Sequence, residues 1–173
     1  MIPLTARKLR EAAFFCFRLE AAHQQPILDS VELLAGASHF EDPFHPEELS
    51  YWLSAFLSAA RSVTFALQAE QKDPYDKWFP NWLARQTETD RALLNFLKEQ
   101  RNVEQKRGGA TVVPGIRETV LGGGDDAEEA LLAIRRAALF FEVDDPVEDV
   151  AASCRRYLTL LEALVNDFVR ENS

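Results

Sequence analysis

The 173-residue sequence has only two cysteines, three histidines, one methionine and seven glycines, and each scarcity removes a class of protein. Cys16 and Cys154 lie far apart, each within an apolar helical pattern, and no Cys-x-x-Cys pair occurs. A disulfide-rich secreted scaffold and a structural zinc site are therefore excluded, and the pair reads as reduced core thiols, with one disulfide between the first and last helices as the alternative. No run approaches the roughly 18 apolar residues of a membrane-spanning helix. The apolar run from Ala12 to Phe17 is soon interrupted by Arg18 and Glu20, too short for a signal peptide, so a cytoplasmic location is expected. No phosphate loop ending in Gly-Lys-Ser/Thr is present. Gly122-Gly123-Gly124 runs into Asp125-Asp126, whose charge would repel phosphate. No His-Glu-x-x-His helix and no cofactor motif occur, so no cofactor is expected.

Positive charge is also in deficit: 19 Lys and Arg stand against 28 Asp and Glu, a net charge of −9. Broad nucleic-acid binding needs clustered cations, and so does docking on an anionic membrane. The deficit is uneven. Residues 1–107 hold 13 basic and 15 acidic residues, whereas residues 108–173 hold 6 and 13. A small anion site in the first part of the chain is thus compatible with the overall acidity.

What the chain has is helical pattern. With 47% hydrophobic residues it can bury a core as one domain, residues 1–173, without metals or disulfides. Six of the seven glycines fall between Gly108 and Gly124, leaving glycine-poor blocks on both sides, as helices require. The expected architecture is all-α, an antiparallel bundle of four to six helices, with a short β-hairpin or an irregular loop in the connection 108–124. A first helix is expected from Thr5, as N-cap, to about Gln24. A second, from Pro46, carries the stripe Leu49, Leu53, Phe56, Ala60, Val63 and Leu67. A third starts at Asp73-Pro74, holds Trp78 and Trp82 one turn apart, and should bend or reset at Pro80. The two indoles read as core rather than as a base-stacking platform. Thr87-Glu88-Thr89-Asp90 opens a fourth helix with a capping box. Asp126 to Leu139 reads as a fifth, and Asp145-Pro146 caps a last helix over 146–171.

Few side chains suggest chemistry. His39 and His45 with nearby acids could hold a divalent metal, but their spacing matches no helical ligand pair; solvated surface is the preferred reading and no metal site is assigned. The carboxylate pairs stand near helix starts, where they complement the helix dipole. No catalytic set emerges. The exception is the end of the fourth helix, where Arg101 continues the face of Leu94 and Leu97 while Asn102 and Lys106 lie four apart on a neighbouring face. A guanidinium, an amide and an ammonium there could grip a phosphate or a partner's carboxylate. The plainer alternative is that Arg101, Lys106 and Arg107 are last-turn cations facing the negative end of the dipole.

The helix Tyr51-Trp-Leu-Ser-Ala-Phe-Leu-Ser-Ala-Ala-Arg-Ser62, the Trp78/Trp82 helix and a helix ending in Arg101-Asn102 shortly before Gly108 together resemble the HEPN superfamily (higher eukaryotes and prokaryotes nucleotide-binding domains). The resemblance covers a core of about 46–109, with the last helix compatible. It implies an antiparallel bundle that often forms homodimers. It also implies, for many members, a metal-independent ribonuclease whose Arg-polar-x3–5-His motif pairs across the dimer. Arg101 and Asn102 occupy the first two positions. The histidine position falls on Lys106, Arg107 or Gly108, none of which is histidine, so the motif is degenerate. RNA cleavage needs a group that exchanges protons near neutrality, which imidazole does and an ordinary lysine does not.

Three readings follow. The first is a non-catalytic, homodimeric scaffold binding a protein partner, which the resemblance places in a defence or toxin–antitoxin type of system. The second is a metal-independent ribonuclease using Arg101, Asn102 and Lys106. The third is a nucleotide- or small-molecule-binding bundle with its pocket between the helices that begin near Pro46 and Thr87.

Overall fold

A computed structural model describes residues 2–23, 46–107, 112–121, 132–141 and 149–172. It is a helical bundle with one small antiparallel sheet. The elements are α1 (Pro3–His23), α2 (Pro46–Glu70), α3 (Lys72–Arg85), α4 (Glu88–Arg107), β1 (Val112–Leu121), β2 (Leu132–Phe141) and α5 (Val150–Asn172).

The helix α1 begins earlier than Thr5. Pro3 takes the first helical position, where its missing N–H costs nothing. The cap comes from another helix: the Glu70 carboxylate accepts the Leu4 and Thr5 N–H groups at 2.7 and 2.8 Å and the Thr5 hydroxyl at 2.7 Å. The start of α1 therefore meets the end of α2, and Phe15 meets Trp52 farther along, so the two helices run antiparallel. All six residues of the α2 stripe are buried, at 0–1% exposure.

The helix α3 starts at Lys72, one residue before Asp73, and runs unbroken across Pro80 rather than resetting there. Trp82 is fully buried, and its indole lies 5.9 Å from that of Trp78. Thr87 and Asp90 form the expected box at the start of α4: the Asp90 N–H donates to the Thr87 hydroxyl, which donates to the Asp90 carboxylate. At the start of α5 the cap is Asp149, whose carboxylate accepts the Ala152 N–H at 2.7 Å. Residue 149 lies outside the helix, which therefore starts later than the expected 146.

One expected helix is a strand. β1 pairs with β2 from Val112 opposite Phe141 to Leu121 opposite Leu132, so the sheet extends well beyond 108–124 and takes residues 132–139 of the expected helix, whose earlier part, 126–131, lies outside the described residues. Leu132-Ala-Ile-Arg-Arg-Ala-Ala-Leu suits a helix locally, but the β-branched partner strand and alternating burial at its end override that preference. Leu139 and Phe141 are buried, and Phe140 between them is half-buried, the period of two that a sheet on a core requires. The Leu139 N–H donates to Nε2 of buried His23 at 3.1 Å, and Nδ1 lies 3.0 Å from the Leu19 carbonyl. Nε2 accepts, so Nδ1 carries the proton and the ring is neutral. This bond and the edge-on contact of Phe96 with Phe141 hold the sheet on the bundle.

The last helix crosses the others. Glu20 of α1 pairs with Arg155, and Asp90 of α4 pairs with Arg156 at 3.0 Å. Asp167 and Glu171 take the indole N–H groups of Trp82 and Trp78. Cys16 and Cys154 are free, buried thiols between α1 and α5; burial pushes Cys16 up to about 11 and Cys154 upward as well. Neither is a ready nucleophile. Among the described residues no helix is long and apolar enough to cross a membrane.

Candidate functional site

The residues singled out, Arg101, Asn102 and Lys106, lie in the last two turns of α4. Arg101 is half-buried, and its Nε is enclosed with no hydrogen-bond partner among the described residues, as is Oε1 of its neighbour Gln100. Among the described residues Asn102 reaches only Glu99, at 3.5 Å. Lys106 is exposed. Among the described residues no group of three His, Cys, Asp or Glu side chains is placed to hold a metal; His39 and His45 lie outside them.

One to two turns back along α4 a cavity of about 400 Å³ opens between α2, α3, α4 and α5. Sequence reasoning placed a pocket between α2 and α4 without its residues. Four helices meet here because each places a different surface toward the gap. The α2 stripe faces the core, so the adjacent face one residue on, Arg61, Thr64, Phe65 and Gln68, borders the cavity. Tyr75 and Phe79, one turn apart on α3, stack at 5.0 Å with planes 15° apart and make a flat aromatic wall. Leu94 and Lys98 come from α4, and Tyr157 and Leu164 from α5.

The apolar lining is largely ordinary core, but its polar groups are incompletely used. The Arg61 guanidinium lies 4.2 Å above the Phe65 ring and donates one hydrogen bond, at 3.3 Å, to the Thr64 hydroxyl. An arginine has five N–H donors, and among the described residues no carboxylate pairs with this one. Lys98, at the mouth, is likewise without an ion-pair partner among the described residues. The one carboxylate in the lining, Asp76, accepts the Gln68 amide at 2.7 Å, tying α2 to α3.

Tyr75 and Tyr157 are 7% and 5% exposed, and neither hydroxyl has a hydrogen-bond partner among the described residues. Burial pushes both up to about 12, against the opposing influence of the Arg61 charge. Both are thus neutral donors at physiological pH. The cavity offers flat aromatic walls, unspent donors and two cations against one acid. It holds no nucleophile–base pair.

Arg61 was the missed signal. It is the sole charged residue between Glu48 and Glu70, a lone cation in an otherwise uncharged two-faced helix. Nothing local, however, says that Tyr75, Lys98 and Tyr157 should meet it. Comparison with protein families, with curated proteins and with solved structures finds no match to this chain.

Proposed function

We propose that this chain is a non-catalytic helical module that binds a small organic molecule in the cavity bordered by Arg61. The observation that carries this reading is Arg61 itself: a half-buried guanidinium at an aromatic-lined cavity, with no acid to pair it, in a chain of net charge −9. Arg61 spends one donor on Thr64 and rests on the Phe65 ring, which leaves most of its donors for a ligand. The volume falls within the range of small-molecule sites, toward its lower end. The reading is compatible with a degenerate HEPN-like bundle, in which the helical scaffold persists without its cleavage chemistry.

The test is an amide NMR titration of the full chain against a library of small organic compounds. Binders should perturb resonances around Phe65, Tyr75 and Lys98 and raise the melting temperature by mass action. Perturbations confined to Arg101–Lys106, or none at all, would set the reading aside.

A second reading, the partner-binding or homodimeric scaffold, draws on the outer face of α1. Phe14 and Phe17 there are 55% and 61% exposed, more apolar surface than an isolated helix face needs. Sedimentation of the purified chain across a concentration series checks it, and a monomer throughout would count against self-association. The ribonuclease alternative requires metal-independent RNA cleavage that Arg101→Ala abolishes.

A further inference from the structure

We infer that the ligand of this cavity is a planar aromatic monocarboxylate, its ring lying against Phe65 and Phe79 and its carboxylate on the Arg61 guanidinium. This rests on the small-molecule reading above and narrows it to one chemical class.

Three observations select the class. The first is the wall. Phe79 continues the flat stack with Tyr75, and Phe65 beneath Arg61 is 50% exposed, a large ring left uncovered beside a cavity. A flat ligand would cover that apolar area and gain the stacking that aliphatic ligands lack.

The second is charge. Arg61 presents a planar fork whose geometry matches a carboxylate's two oxygens. Arg61 and Lys98 together face the single carboxylate of Asp76, so the lining holds one net positive charge. A monoanion balances that charge. A phosphate dianion would overshoot it and stand beside Asp76.

The third is the tyrosine pair. The Tyr75 and Tyr157 side chains are more than nine-tenths buried, and their hydroxyls, accessible and without a protein partner among the described residues, belong to two residues that line the same cavity. Burial keeps them protonated, so they can donate to carboxylate oxygens. A donor otherwise left to water can bond a ligand acceptor in its place.

The experiment is calorimetric titration of the full chain with three probes of one shape: naphthoate, naphthamide and naphthyl phosphate. Naphthoate should bind at least about tenfold tighter than naphthamide, the size expected of a charge-assisted hydrogen bond. In Arg61→Gln the naphthoate advantage should vanish while naphthamide binding persists. Circular dichroism of that variant checks its fold. If it does not fold, Lys98→Gln, at an exposed position, should weaken naphthoate by about two- to threefold and leave naphthamide unchanged.

In the wild-type chain, nuclear Overhauser contacts should run from naphthoate ring protons to Phe65 and Phe79. Binding without those contacts overturns the assignment. Equal affinity for naphthamide removes the carboxylate and leaves the small-molecule reading standing. Tighter binding of naphthyl phosphate replaces the monoanion by a dianion. Failure of all three probes, with other library compounds still binding at the cavity, defeats the aromatic class alone; failure of every compound defeats both readings.

Discussion

The two sides of α3 treat polar groups in opposite ways. Where α3 meets the end of α5, Trp82 donates to Asp167, Trp78 and Arg85 share Glu171, and Arg170 pairs with Asp167 at 2.6 Å. Each indole N–H and each carboxylate in that seam has a partner. On the cavity side, the hydroxyls of Tyr75 and Tyr157 are accessible and have no partner among the described residues, and Arg61 borders a gap with most of its donors unspent. A bundle that satisfies one seam so fully could satisfy the other. The proposed ligand site lies on the side where donors remain unspent.

The comparison can be broken by substitution, and the largest effect is expected in the saturated seam. Trp82→Ala should cost about 3–5 kcal/mol, measured by urea denaturation, because it empties a fully buried site and removes the indole hydrogen bond to Asp167. A loss below 1 kcal/mol would mean that the seam relaxes freely, and the contrast between the two sides would lose its basis.

Next comes the cap that one helix lends another. Glu70→Ala removes three hydrogen bonds from the start of α1 and should cost about 1–2 kcal/mol in the same assay.

The same carboxylate predicts a pH response, together with Asp90. Partial burial works against the Glu70 charge, but the hydrogen bonds from Thr5 and Leu4 outweigh it and hold the carboxyl below the usual range. Asp90 is lowered by the Thr87 hydroxyl and by Arg156. Both bind protons more weakly folded than unfolded. Their stabilisation is therefore complete above the ordinary unfolded values of about 4, and it is lost as pH falls through the lower folded values. Melting temperature should drop on acidification in that window, and Asp90→Asn should make the drop shallower. A wild-type melting temperature independent of pH from 5 to about 2 would contradict the assignment.

The smallest effect belongs to the cavity. Tyr157→Phe deletes a hydroxyl with no protein partner and should change stability by less than about 0.5 kcal/mol. If it costs as much as Glu70→Ala, the hydroxyl is structural and the two sides of α3 are alike after all.

Much of the fold was legible because its signals are local. The α2 stripe repeats every three or four residues, and all of it is buried; the Thr87–Asp90 box sits where its spacing puts it. The start of α1 was read wrongly because its cap comes from Glu70, far along the chain. β2 was read as a helix because Leu132-Ala-Ile-Arg-Arg-Ala-Ala-Leu carries a helix former's composition; pairing with β1 and docking on His23 are long-range terms with no local trace. Arg101, Asn102 and Lys106 stood out for being close in sequence. The cavity residues did not, since they are scattered from Arg61 to Leu164.

By itself the sequence determined, to within a few residues, where α1 to α5 run and which face α2 buries, because spacing at 3.6 residues and end-capping are properties of a few neighbouring residues. Only the tertiary structure decided which charges are spent. Pairing depends on what packing brings within hydrogen-bond reach: it gave Glu70 to α1, gave Asp167 and Glu171 to the indoles of α3, and left Arg61 facing an aromatic-walled gap.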